Sequence, residues 1–520
     1  MCSQLANIIV LKSFGRIADR VSNKAVLAVA APLFIACTFA WIFTTATDTR
    51  WAVMAILASV HVLTGVATAG VSIATTNITM KLAPKGNSTS YLATNSLVSS
   101  LSGGIAPVLG GLCADFFAHQ KFSILFKWHS EAKDVTFDLA PAQERSRRVV
   151  KQMTTGIAHL FKKNKVDYVR GFGSVVDGTH VEVRAEDGST QVLETANIVI
   201  ATGAKARELP GLPFNGRSVI GSREAMTLPR QPKSMVVIGA GAIGVEFAYI
   251  YNAFGTQVTV VEMMPRLVPV EDDDIGDALK KSYTREGIKC LTDTKVSATE
   301  DRGDSVAVTV ENSRGTETIE AEVCLVAIGV VPVLPGGNLP EFTERGWIQT
   351  GNRYETSMSG VYAIGDIAGP PWLAHTAMFE AVQCVEGIFV EGCTPKRVDA
   401  FPGCTYCYPE VASVGKTERD LREEGVACKV GKFPYQALGK AQAAGETDGF
   451  IKLIFGEEHG ELLGAHIIGA NATDLIAEMG LGLTLEATLE DFHATIHAHP
   501  TLTEGVHEAA LDASGHAIHF

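Results

Sequence analysis

The chain of 520 residues has no surplus of positive charge: 44 Lys and Arg stand against 57 Asp and Glu, a formal −13. That excludes a general nucleic-acid binder, which needs a basic face. Its ten cysteines are scattered and form no short-period framework. A small disulfide scaffold is therefore excluded, and a reducing compartment with mostly buried thiols is expected. The start, MCSQLANIIVLKSFG, has no charged run ahead of its short apolar stretch and no A-x-A site after it, so no cleavable signal is expected. The opening quarter lacks acid above all. Residues 1–128 hold nine Lys/Arg and three Asp/Glu (9 − 3 = +6), and the other 392 hold 35 and 54 (35 − 54 = −19). Length allows three or four domains, and the charge break shows two kinds of sequence joined.

Three stretches, 25–47, 51–80 and 86–114, contain no Asp, Glu, Lys or Arg. Each exceeds the roughly 20 residues that cross a bilayer. They are rich in Ala, Gly, Ser and Thr, as in closely packed transmembrane helices. An all-α membrane fragment of about three spans is expected over residues 1–129. Lys12, Arg16, Arg20 and Lys24 put the first end inside, and Lys81 and Lys85 return inside after two crossings. A third crossing leaves the rest of the chain outside, which suits an acidic, nucleotide-binding body poorly. Gly15-Arg16-Ile17-Ala18-Asp19-Arg20 resembles the cytoplasmic loop of major facilitator superfamily transporters, and Tyr91 to Gly111 resembles one of their late helices. The resemblance covers about residues 1–120. Such transporters place their site between two bundles, which three spans cannot build, so transport is not expected.

The most informative stretch runs from Met235 to Glu262. A β-branched run, Val236-Val237-Ile238, stops at Gly239 and opens G-x-G-x-x-G with Gly239, Gly241 and Gly244. A helix is expected next, with Ile243, Phe247, Ile250, Tyr251 and Phe254 on one face and Gly255 at its C-terminal end. A second strand, Val258 to Val261, ends at Glu262. This is the order of a dinucleotide-binding βαβ unit. Gly239 permits the tight turn, Gly241 lets a pyrophosphate approach, and Gly244 lets the helix pack on the sheet. The helix N-terminus offers free N–H groups to phosphate. Glu262 can accept from a ribose 2′-hydroxyl and would repel a 2′-phosphate, which favours NAD over NADP.

From Val135 onward the sequence is charged and amphipathic. Asp138 to Lys163 reads as a helical region. Strand patterns follow in VDYVRGFGSVV, HVEVRAE and QVLETANIVIATGA. ATG at 201–203, GAGAIGVE at 239–246, VAIGVVP at 326–332, YAIGDIAG at 362–369, LAH at 373–375, YPEVASVG at 408–415 and HAHPTLTE at 497–504 then occur in this order. From about residue 130 to Phe520 these motifs strongly resemble the dihydrolipoamide dehydrogenases, within the pyridine nucleotide–disulfide oxidoreductases.

The resemblance implies an α/β fold in which a membrane fragment (1–129) precedes four segments. These are a first part of a flavin domain (130–229), a Rossmann NAD domain (230–345), the flavin domain's continuation (346–398) and an α+β interface domain (399–520). It implies NAD at Gly239, Gly241, Gly244, Glu246, Glu262 and Gly329. It implies FAD at Thr202, Gly203, Gly365, Asp366 and Ala374, with Asp366 on the ribityl chain. His499 would be the general base and acid toward a dithiol, reaching across a homodimer interface, and Glu504 would orient its ring. An imidazole suits that task because its ordinary pKa is near neutrality. His497 reads as scaffold. Cys404 and Cys407 form a C-x-x-C, but positions three apart on a strand point to opposite faces, so no redox or metal pair is expected there.

The family's opening βαβ unit carries a flavin G-x-G-x-x-G and a C-x-x-x-x-C disulfide. The only complete glycine fingerprint here is at 239–244, and no two cysteines have four residues between them. Dihydrolipoamide oxidation by NAD⁺ through FAD is the ancestral reaction, with a lipoyl-bearing protein of a 2-oxo acid dehydrogenase complex as partner and the cytoplasm as location. NAD binding is expected to persist, flavin binding to be impaired, and lipoamide turnover to be absent. A fusion of the tail of one gene to most of another accounts most simply for both halves. A non-catalytic NAD-binding relic, a transporter fragment and a membrane-tethered enzyme are the alternatives.

Overall fold

The computed structural model describes residues 139–517 and 519, and scattered helical positions among the first 138, chiefly 28–33 and 57–69. Chain contacts divide it into two units, Met1–Lys133 and Asp134–Phe520. Among the described residues no helix is long and apolar enough to cross a membrane, so the expected spans are not borne out there. The expected span 86–114 lies wholly outside the described residues, 25–47 lies mostly outside them, and half of 51–80 does.

The second unit opens with α1 (Leu139–Lys163). An antiparallel meander follows: β1 (Phe172–Val175), β2 (His180–Arg184) and β3 (Thr190–Glu194). Next comes the short β4 (Ile198–Ile200). The chain then builds a parallel sheet from β5 (Val219–Ile220), β6 (Ser234–Ile238), β7 (Gln257–Val261), β8 (Lys289–Leu291) and β9 (Val323–Val326). Helices α2 (Ala242–Ala253) and α3 (Asp273–Arg285) make its crossovers. The spatial order is β5-β9-β6-β7-β8, all parallel. Burial on both faces explains why β6 and β9 are almost wholly apolar.

The chain returns through β10 (Val361–Ala363), which pairs in parallel with β4, and α4 (Ala374–Phe389). The last segment is a five-stranded antiparallel sheet of β11 (Gly403–Thr405), β12 (Val411–Gly415), β13 (Cys428–Pro434), β14 (Phe450–Gly456) and β15 (Leu462–Ile468). Its order is β11-β12-β15-β14-β13. Helices α5 (Ala472–Thr484), α6 (Leu489–Ala494) and α7 (Glu504–Ala513) complete it.

One expectation is corrected in α2. Its buried line is Gly244, Val245, Ala248 and Tyr251, while Ile243 and Ile250 stay about one-third exposed (36% each). Close approach decides the face. A Cβ on Gly244 would overlap the Gly239 carbonyl oxygen, so the small residues turn toward the sheet and the isoleucines turn away. Phe247 and Phe254 still pack on the core from its edge. Gly255 ends the helix at φ +94°, as expected.

The core of the parallel sheet runs without interruption into the C-terminal segment: Val237, Val260 and Tyr251 share one apolar cluster with Cys407, Val411, Phe450 and Ile468. A buried charge cluster reinforces that junction. Lys452 on β14 is fully buried, and its ammonium donates to Asp272 at 2.6 Å, to Asp274 at 3.0 Å and to Glu418. Asp272 is also the N-cap of α3. Removing one member of such a cluster leaves buried charge uncompensated. Cys404 lies on β11 and Cys407 beyond its end, both as free thiols. Burial pushes the Cys407 thiol up to about 12, the inert form of a cysteine.

Candidate functional site

The parallel sheet brings four of the expected nucleotide residues to one place. Gly239 leaves β6, Glu262 leaves β7 and Gly329 lies three residues beyond β9, all at the carboxyl ends of adjacent strands. Ligands of open parallel sheets bind at that edge. Gly239 has φ +98°, and a Cβ there would run into the carbonyl oxygen of Ala327. Gly241 is the N-cap of α2, and nothing lies within 4 Å of where its Cβ would be. Gly329, at φ +103°, also faces open space. The turn therefore has room for a pyrophosphate and free N–H groups pointing at it.

Glu262 is more tightly held than the sequence indicated. It is buried, and its two oxygens accept from Ala240 N–H at 2.7 Å and Met264 N–H at 2.8 Å. Those bonds fix the carboxylate beneath the glycine turn. A carboxylate has about four acceptor positions, so each oxygen keeps one for a ribose hydroxyl. Glu246 is placed differently. Its carboxylate accepts from Tyr406 N–H at 2.8 Å and so ties α2 to the C-terminal segment. Burial raises its pKa against that bond. The glycine-turn text around it gave no hint of this inter-segment role.

The expected flavin residues lie elsewhere. Ile200 of β4 stands opposite Ala363 of β10, so Thr202 and Gly365 both lie two residues beyond a paired position, at the same end. Gly203 and Gly365 have φ of +74° and +68°, and the Gly365 N–H donates to Glu380 at 2.6 Å. Thr202 and Ala374 are exposed. Asp366 is half-buried with its pKa raised by that burial. Among the described residues its carboxylate has no hydrogen-bond partner. A polyol hydroxyl would satisfy it, so this part fits the sugar portion of a flavin nucleotide. The sheet here is only two strands wide among the described residues, and the sequence carries no second G-x-G-x-x-G.

His499 and Glu504 meet as expected. The imidazole Nδ1 lies 2.7 Å from a Glu504 oxygen, and the other oxygen accepts from Thr501 N–H at 2.8 Å. Burial would raise the Glu504 carboxyl, but the Thr501 N–H and the His499 ring hold it below its ordinary value. The ring is 76% exposed, and among the described residues it makes no hydrogen bond besides the one to Glu504. His497 is paired with Glu478 at 2.8 Å, and that carboxylate raises its pKa, consistent with scaffold. The cleft around these groups, about 510 Å³, is also lined by His493, His507, Glu508 and His519. His519 pairs with Glu508 at 2.8 Å. Glu508 and His519 are eleven residues apart, a spacing that no helix or strand periodicity signals.

A parallel nucleotide sheet joined to an α+β segment carrying a histidine–carboxylate pair defines a nucleotide-dependent oxidoreductase architecture. Comparison with known proteins gives the family. Residues 116–381 match the model of the pyridine nucleotide-disulphide oxidoreductases, and 401–510 match that family's dimerisation domain. The chain belongs to the pyridine nucleotide-disulphide oxidoreductase family. Dihydrolipoyl dehydrogenase of Chlorobaculum tepidum is 42% identical over 385 residues, covering 73% of this chain and 82% of that protein. The Zymomonas mobilis dihydrolipoyl dehydrogenase is 38% identical over 431 residues, covering 79% and 92%. Among solved structures, LpdA from Mycobacterium tuberculosis superposes with a TM-score of 0.67 at 25% identity, over 72% of this chain and 83% of that one. Residues 1–129 match the Major Facilitator Superfamily.

Proposed function

We propose that this chain is a dihydrolipoyl dehydrogenase-type protein that retains its NAD site and its proton-transfer pair but does not turn over dihydrolipoamide. The observation that carries this reading is the convergence of Gly239, Gly241, Gly329 and the amide-anchored Glu262 at one sheet edge. The cofactors are those of the family, NAD and FAD, which between them accept the two electrons of a dithiol. Gly239, Gly241 and Gly244 admit the pyrophosphate of NAD, Glu262 accepts from its ribose, and Gly329 leaves room for its far end. Thr202, Gly203, Gly365, Asp366 and Ala374 form the part of the flavin site this chain supplies.

His499 accepts the thiol proton at Nε2, and Glu504 stabilises the imidazolium through Nδ1. The dithiol would come from a lipoyl-bearing protein of a 2-oxo acid dehydrogenase complex, and the dimerisation domain supports a homodimer. Turnover fails because no C-x-x-x-x-C pair accepts the electrons. The test incubates the purified full chain with dihydrolipoamide and NAD⁺ and follows absorbance at the NADH band. No NADH above the protein-free rate is expected, together with measurable NADH binding. Sustained NADH formation abolished by His499→Gln would overturn the inactivity. Absence of NADH binding would overturn the NAD site.

A further inference from the structure

Val268 holds a backbone conformation that its own chemistry resists. Its φ is +43°, in the left-handed region, where a β-branched side chain is an outlier. The next residue is Pro269, and a proline pushes the residue before it toward extended backbone. Val268 is also buried, in the core beside the parallel sheet. Strain of this kind persists only where the surroundings over-determine it, and it clusters at functional sites.

Both sides of Val268 are anchored. Upstream, the chain leaves β7 through Glu262, whose carboxylate accepts from Ala240 and Met264, and the Met264 carbonyl accepts from Asp293 N–H at 3.0 Å. Downstream, the Val268 carbonyl accepts from Glu271 N–H at 2.8 Å, and Asp272 caps α3 and meets Lys452. Helix α3 lies so near that a Cβ on Gly276 would come within 2.6 Å of the Leu267 carbonyl oxygen. Held between these anchors, the Val268 N–H donates to the Ala240 carbonyl at 2.8 Å.

That bond lands in the glycine turn, on the residue between Gly239 and Gly241. Glu262 holds the Ala240 N–H and Val268 holds the Ala240 carbonyl, so the peptide unit on each side is pinned. A trans peptide is planar, with its C=O and N–H on opposite sides. With the Ala240 carbonyl drawn toward Val268, the Gly241 N–H points the other way. Among the described residues that N–H has no hydrogen-bond partner, and nothing lies within 4 Å of where a Gly241 Cβ would be.

We infer that Val268 is a positioning residue of the nucleotide site, its N–H, presented by a strained turn, aiming the Gly241 N–H at the pyrophosphate of a nucleoside diphosphate. The inference rests on the NAD site proposed for this turn and names what pre-aims it. Val268 acts through Ala240 and does not touch the ligand. A donor aimed in advance spares the ordering that binding would otherwise require.

The test places an ester at Val268 in the full chain, by incorporating the α-hydroxy analogue of valine through nonsense suppression. This deletes the N–H and keeps the side chain. Val268→Ala is the companion variant, which keeps the N–H and loses packing. Each protein is titrated by calorimetry with ADP-ribose and with adenosine, which lacks the pyrophosphate. The ester should weaken ADP-ribose about tenfold and adenosine by less than about twofold. Val268→Ala should leave both within about twofold, although its thermal stability falls. An equal loss for both ligands, the same selective loss in Val268→Ala, or an ester that binds ADP-ribose like the wild type would overturn the inference. Should the ester fail to fold, residue-resolved amide hydrogen exchange on the wild type decides. The Val268 N–H should be protected before any ligand is added, and the Gly241 N–H only with ADP-ribose. A Val268 N–H unprotected without ligand would overturn the inference. Wild type that binds neither ligand would sink the NAD site itself, and the positioning role with it.

Discussion

The region expected to hold NAD and the region expected to hold FAD differ in how much sheet supports them among the described residues. On the NAD side five parallel strands carry the glycine turn, and Val237 in the middle is fully buried. On the flavin side β4 and β10 form a two-stranded pair among the described residues, and Val199 is 38% exposed. A central parallel strand is expected to be covered on both faces and bonded on both edges. The NAD core continues into the C-terminal segment, whereas the apolar cluster around Val361 and Ile200 is separate and smaller. Motif matches alone would rate the two sites alike. Among the described residues, the strands beneath the first belong to a continuous core and those beneath the second to a smaller, separate cluster.

The most forceful way to break this comparison is to loosen the supported side. Lys452→Met leaves Asp272, Asp274 and Glu418 without their shared cation. We expect a loss of about 3–5 kcal/mol at pH 7 by urea unfolding. Burial opposes ionisation of Asp272 and Asp274, but Lys452 more than offsets it and holds both pKa values below the ordinary one. A depressed carboxyl stabilises the fold above its unfolded pKa and ceases to as pH falls through the folded value. The gap between wild type and variant should therefore narrow as pH drops from about 5 toward 2.

Next in size is Glu271, a buried carboxyl at the same junction, which burial pushes up to about 7. Here the sign reverses. The folded state holds its proton more tightly, so the group costs stability as pH rises from the unfolded value through 7. Glu271→Gln should stabilise the protein by about 2 kcal/mol at pH 8 and by little at pH 4. A pH-independent difference would contradict the burial argument.

Within the NAD site, Glu262→Gln keeps one acceptor for the amides of Ala240 and Met264 but removes the charge toward ribose. NADH affinity should fall about tenfold, with thermal stability reduced by about 1 kcal/mol. Smallest of all is His499→Gln. Its exposed ring makes one hydrogen bond, to Glu504, so stability should change by less than about 0.5 kcal/mol, and NADH binding should not change. A larger loss would mean that the pair supports the fold rather than awaits a substrate.

Local chemistry was the legible part. The glycine turn, Glu262 and the His499–Glu504 pair each lie within a short span of sequence, where turn geometry or helix spacing dictates the contact. The apolar face of α2 was misjudged because hydrophobicity pointed to Ile243 and Ile250, while close packing at Gly244 set the rotation. Lys452 and its carboxylates were not legible, since Asp272 lies 180 residues away in sequence and no periodicity connects them. Glu246 is expected at the nucleotide from its motif, and its additional bond to the backbone of Tyr406 in another segment was not legible, because 160 residues separate the two.

The central claim is that the NAD site stands on its own sheet and does not need the flavin side. Fluorescence titration of the flavin-stripped full chain with NADH tests it directly. One NADH bound per chain, with affinity about tenfold weaker in Glu262→Gln, is the predicted result. No NADH binding until FAD is added back would contradict it.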